Sequence, residues 1–189
     1  MNTVKNFLAI FLLVLLVSCG GGTDSQPANA KGFAAIEQSI KDKFGADAYY
    51  TNVNILHDAS LGNMINVTVT EDPASLEMGE HVFSKHSSWE QNATVTIEIP
   101  EGTQAKDYMF QLDENINLET LGALVEQSVA KLTTEKNIDN PTLAMAFIKF
   151  PKNGDISKTE YTVRLEPKNG GTSFTFRYDL QGNFIEMDY

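Results

Sequence analysis

The sequence predicts an α+β fold, an antiparallel sheet with two or three helices packed on one of its faces. Three observations predict it. Apolar residues recur at spacings of three and four in two stretches, 33–44 and 118–132, which puts them on one side of a helix. Elsewhere they alternate with polar residues over short runs, the period of a half-buried strand. The strand-like runs also follow one another through Asn-Gly and Gly-Asn pairs, as antiparallel hairpins do.

Phe33, Ile36, Ile40 and Phe44 define the first helix, and Gly45 stops it. Val53 and Ile55 then alternate with Asn52 and Asn54. After a turn near Leu61-Gly62-Asn63, Ile65, Val67 and Val69 alternate with Asn66, Thr68 and Thr70. Asp72-Pro73 reads as a helix start, with Leu76, Val82, Phe83 and His86 sharing a face; Gly79 weakens it, and a loop over 73–88 is the alternative. Val95, Ile97 and Ile99 form the next strand, ended by Pro100, with a short strand at Tyr108 to Leu112.

Asn117 caps the second helix, whose face is Leu118, Leu121, Leu124, Val125, Val129 and Leu132; Lys131 and Lys136 sit near its C-terminal end, where the dipole favours cations. Four strands follow, 143–150, 158–166, 172–178 and 183–188, the first apolar on both faces and so central. Tyr161, Val163 and Leu165, then Phe174, Phe176 and Tyr178, give the alternation of a C-terminal meander. The pattern permits two tandem helix-plus-strands halves, 32–112 and 113–189. Phe176 to Met187, a strand, a glycine turn and a strand, loosely resembles the hairpins of small exported repeat domains such as PepSY and of beta-lactamase-inhibitor-like proteins.

The N-terminus carries a different signal. Lys5, the apolar run Phe7 to Val17 and Ser18 have the three parts of an export signal, and the run is too short to span a bilayer, which takes about 20 apolar residues. The stretch Leu16-Val17-Ser18-Cys19-Gly20 resembles the lipobox of bacterial lipoproteins. The resemblance implies removal of residues 1–18, a diacylglycerol on the Cys19 thiol, and a membrane anchor with no protein segment in the bilayer. Residues 19–31, glycine-rich and polar, read as a flexible tether to a single domain over 32–189. Gly20 after the cysteine, rather than aspartate, favours the outer membrane of a bacterial cell envelope.

Composition narrows the function. The chain has 14 Lys and Arg against 25 Asp and Glu, spread without basic clusters, so nucleic acid is not an expected partner. With its one cysteine committed to lipid, the mature chain has no cysteine nucleophile or cysteine metal site. No Gly-x-Ser-x-Gly elbow is present, and the one glycine run, 20–22, lies in the tether, so no cofactor is expected.

The histidines are His57, His81 and His86, without a His-Glu-x-x-His. Glu77 and His81, four apart on a helix, could face one metal ion, with His57 approaching in space; surface histidines on a solvated acidic face are the plainer reading. Asp113-Glu114-Asn115 and Asn117 offer oxygens for calcium without the glycine such a loop needs, and read better as a helix cap. Trp89 is either a binding aromatic or a core cap. The remaining candidate is a polar sheet face, Asn66, Thr68, Thr70, Thr94, Thr96, Glu98, Thr162, Arg164, Thr175 and Arg177, able to contact a protein, peptide or glycan. The expectation is a non-enzymatic binding or assembly module, held to the membrane through lipid on Cys19. The alternative is a small hydrolase or metal-binding envelope protein whose site forms only in the fold.

Overall fold

A computed structural model describes residues 22–189. Residues 1–21, on which the expected export signal and Cys19 fall, lie outside the described residues. Helix α1 (Ala30–Phe44) leads into four strands, β1 (Tyr49–Asp58), β2 (Gly62–Thr70), β3 (Glu77–Ser84) and β4 (Ser88–Thr96). A second helix, α2 (Leu118–Lys136), leads into four more, β5 (Thr142–Lys149), β6 (Glu160–Glu166), β7 (Phe174–Asp179) and β8 (Phe184–Asp188). All eight strands form one antiparallel sheet in the order β4-β3-β2-β1-β5-β6-β7-β8. Each half is thus a helix followed by a meander, and the first strands of the two meanders meet at the sheet centre.

The two helices form for the reasons legible in their sequences. Asn29 and Asn117 each occupy the N-cap, accepting from the backbone N–H three residues on, of Gly32 and Thr120, both at 2.8 Å. A second pair of bonds joins the halves. The Glu126 carboxylate of α2 accepts from Ala30 N–H at the start of α1 (3.1 Å), and the Glu37 carboxylate of α1 accepts from Leu118 N–H at the start of α2 (2.7 Å). Each helix therefore places a negative charge at the positive end of the other. At their crossing Gly122 lies against α1's start, where a Cβ would come within 2.4 Å of the Asn29 carbonyl oxygen.

The main core lies between the helices and one face of the sheet. Phe33, Ile36 and Ile40 of α1 and Leu118, Leu121 and Val125 of α2 pack with Val53, Ile55, Ile65, Val67, Tyr161, Val163, Leu165 and Phe176. Directly paired residues in an antiparallel sheet share a face, so the register assigns the rest. A second, smaller cluster, Met78, Ala105 and Met109 with Tyr49, Leu76, Val95, Ile97 and Ile99, sits on the other face at the outer end of the first half.

Four expectations are corrected. Residues 73–88 are not a helix: Pro73–Ser75 make a single 3-10 turn, Leu76 takes a left-handed conformation (φ 61°), and β3 begins at Glu77. The Asp72 side chain does accept from a backbone N–H, that of Ala74, but nothing prolongs the turn. The strand expected at Val95 to Ile99 starts earlier, at Ser88, and Ile97 and Ile99 leave the sheet to cover Met78 and Met109. Tyr108 to Leu112 is not a strand but one bridge, Phe110 to Tyr50, beside β1 at residues that β5 does not pair.

The fourth correction concerns the tether. From Thr23 onward the stretch is built into the fold: Thr23–Ser25 form a 3-10 turn, and α1 starts at Ala30. Asn63, fully buried at the start of β2, donates from its amide to the carbonyls of Gln26 (2.8 Å) and Thr23 (3.4 Å). Thr23 also donates to the Ser39 hydroxyl of α1 at 3.0 Å. Hydrogen bonds from a remote residue order a segment that has no large apolar side chain of its own.

Candidate functional site

The histidines and acids singled out for metal are not brought together. Glu77 and His81 both lie on β3, where four residues span about 13 Å rather than one helical turn. His81 instead packs edge-on against Phe44 at the end of α1, ring centroids 4.7 Å apart. Burial there, and secondarily the charge of Lys43, hold its imidazole below the ordinary histidine range. His57 is in the β1–β2 hairpin, its Nδ1 2.9 Å from Asn63 Oδ1. Among the described residues no three His, Cys, Asp or Glu side chains are grouped as metal ligands would be.

Trp89 also belongs to the packing. It stands T-shaped on Phe44 at 5.0 Å and 5.4 Å from Phe83, closing the core at the outer strands of the first half. Asp113 accepts from the backbone N–H groups of Asn115 (2.7 Å) and Ile116 (2.9 Å), the turn that precedes the Asn117 cap. Asp58, Asp155 and Asp179 play similar turn roles, and the hydrogen bonds they accept hold each carboxyl below the usual range.

Two clefts flank the second cluster. One, about 440 Å³, is lined by Thr51, Ile97, Glu98, Tyr108, Phe150 and Lys152, with Glu98 its single carboxylate. The other, about 350 Å³, lies between Pro73-Ala74 and Thr103 to Lys106 and is lined by no acid or histidine. Neither offers the converging acid, base and nucleophile of a hydrolase.

The third feature is the sheet face opposite the helices. Register places Asn54 beside Asn66 and Phe147, and Phe147 beside Thr162, which faces Arg177. The neighbouring row is Met64, Leu56, Met145, Arg164 and Thr175. Apolar and amide side chains thus mix at the centre, most of them half-buried. Towards β8 the charges pair among themselves: Arg177 with Glu186 and with Asp188 (3.2 Å), Lys149 with Glu160 (2.9 Å), and Arg164 with the Ser173 hydroxyl (2.8 Å). Two buried polar atoms on this face, Asn54 Oδ1 and Thr162 Oγ1, have no hydrogen-bond partner among the described residues.

Sequence reasoning placed Asn66, Thr68, Thr162, Arg164, Thr175 and Arg177 here, and the register agrees. Thr94 and Thr96 are a correction. A bulge in β4, where Glu80 pairs with Ala93 and His81 with Gln91, shifts the alternation and puts Thr94 and Thr96 on the helix side. Leu56, Met64, Met145 and Phe147 were missed, because an apolar residue on a strand gives no sign of which face it occupies when both faces carry some. No family model, curated protein or solved structure matches the chain. Among the described residues no helix is long and apolar enough to cross a membrane.

Proposed function

We propose that this chain is a lipid-anchored protein of the bacterial envelope, favouring the outer membrane, and that it works as a non-enzymatic docking module for another protein. The signal-like and lipobox-like stretch ending at Cys19 supports the anchor.

The observation that carries the docking reading is the sheet face away from both helices. It mixes Leu56, Met64, Met145 and Phe147 with Asn54, Asn66 and Thr162, and two buried polar atoms on it have no partner among the described residues. A solvated sheet face is normally polar in alternation; apolar side chains at its centre are the composition of an interface core with a polar rim. Eight strands about 4.8 Å apart and roughly 20 Å long span on the order of 700 Å², part of it covered by the second cluster at the outer end of the first half, so the open remainder suits an interface smaller than the ~800 Å² each partner contributes to a standard one. The tandem arrangement, two helix-plus-meander units joined through β1 and β5, is what makes the face wide enough.

The reading is tested by photo-crosslinking in membranes. A photoreactive side chain at Asn66 or Thr175, on the open face, is expected to give a discrete adduct with one protein. The same group at Gln127 or Ala130, exposed on α2, is expected to give none. Adducts from α2 alone, or from neither face, would remove the open face as the docking surface.

A further inference from the structure

We infer that the end of the sheet carrying the β1–β2 turn faces the lipid surface at close range, so that the strands stand away from the membrane and the open sheet face is presented sideways. The inference rests on the reading of Cys19 as the lipidated residue and adds an orientation to it.

The argument begins with chain length. A tether over residues 19–31 would reach on the order of 45 Å at 3.3–3.6 Å per residue, and the domain could then turn freely. The fold removes most of that length. Asn63 grips the Thr23 and Gln26 carbonyls from the start of β2, and Gly62 lies so close to this segment that a Cβ would come within 2.4 Å of the Asp24 carbonyl oxygen. The Asn63 side chain is itself fixed, fully buried with its oxygen 2.9 Å from His57 Nδ1. From Cys19 to Thr23 only four Cα steps remain, which reach about 15 Å when fully extended.

The anchored point is at one end of the strands, not midway. Gly62 and Asn63 begin β2, directly after the turn at Ser60 and Leu61. The other end of the same strand, at Thr70 and Glu71, is about 30 Å away along nine residues. A leash of about 15 Å therefore holds the first end near the headgroups and leaves the far end free to stand off. This end carries both signs, Asp24 and Asp58 together with Lys85 in the β3–β4 turn that the register sets beside Asn63, so no one-signed patch draws it to a lipid surface and the tether enforces the contact. Contact with the bilayer is thus expected of the acylated chain only.

The test uses the acylated protein in phosphatidylcholine vesicles that carry a quencher on a fraction of the headgroups. A fluorophore is placed through Ser60→Cys or, in a separate chain, through Glu71→Cys, and acylation of Cys19 is read by intact mass. The Ser60 probe is expected to be quenched at least about threefold more than the Glu71 probe, the strand length exceeding the range of contact quenching. An insertion of a dozen glycine and serine residues after Gly20, which leaves the fold and the cysteine untouched, is expected to abolish most of that difference. Equal quenching of the two probes, or the reverse order, with acyl mass on Cys19 would overturn the orientation alone. Absence of acyl mass would overturn the anchor reading and the orientation with it.

Discussion

Three buried tyrosines separate what a hydroxyl contributes from what its ring contributes. Tyr50, Tyr161 and Tyr178 are all fully buried against the same core, and burial pushes all three phenols above the ordinary range. Their hydroxyls differ. Tyr178 OH lies 2.7 Å from Ser128 Oγ, and Ser128 Oγ donates to the Leu124 carbonyl at 2.7 Å, so the tyrosine must be the donor in the first bond. Tyr161 OH accepts from the Asn117 backbone N–H at 3.2 Å. Tyr50 OH has no partner among the described residues.

The substitution Tyr→Phe is therefore expected to split by sign. At Tyr178 and at Tyr161 it loses one bond, costing about 1 kcal/mol each. At Tyr50 it removes an orphaned hydroxyl, whose burial costs about 1–3 kcal/mol, so the variant is expected to be neutral or more stable by about 1 kcal/mol. Ser128→Ala is expected to cost more than Tyr178→Phe, about 1–3 kcal/mol, because it strands the Tyr178 hydroxyl as a buried donor, whereas Ser128 keeps Leu124 when the tyrosine hydroxyl goes. Urea unfolding followed by the single Trp89 reads these differences, provided the slope is unchanged. Alkaline titration gives a second readout. A phenol raised in the folded state contributes stability that is full below the unfolded value of about 10 and is lost as the pH rises towards the folded one. Tyr50→Phe is expected to flatten that loss. A destabilisation by Tyr50→Phe as large as that by Tyr178→Phe would refute the reasoning, since it would mean that the Tyr50 hydroxyl is partnered.

Two further outcomes follow from the packing of α1. Glu37→Ala removes the acceptor at the start of α2, and with it the ion pair to Lys41; it is expected to cost about 1–2 kcal/mol in urea and to speed amide exchange at Leu118, with Glu37→Gln recovering part of both. His81 is held below its unfolded value of 6.5, so the folded chain binds the proton less well than the unfolded one. Its contribution is full above that pH and is lost as the pH falls through the folded value. His81→Leu is expected to flatten the thermal stability profile over that interval, and an unchanged slope would show that the ring at Phe44 is not the group titrating.

Much of the fold was legible because its elements obey one period each. α1 and α2 carry their own caps in Asn29 and Asn117, and β2 and β7 alternate cleanly because one face is core and the other half-exposed. Residues 73–88 broke that clarity. Val82 points to the open face and Phe83 to the core, so adjacent apolar residues hide the period of two, and Asp72-Pro73 offers a helix start that ends after one turn. Glu77, His81 and His57 were grouped on the strength of a helix that does not form, and Trp89 was ambiguous until Phe44, 45 positions earlier, was set against it.

The sequence by itself determined the α+β class, both helices and the run of C-terminal strands. Only the tertiary structure decided which strands meet at the centre, which residues share the open face, and that the segment from Thr23 onward is built into the fold. The physical reason is common to all three. Periodicity and capping are local, acting within a turn or a strand, whereas sheet order, bulge register and the hold of Asn63 on Thr23 and Gln26 depend on groups far apart in the chain. A polar stretch without large side chains reads as loose until the partner that satisfies its carbonyls is in place.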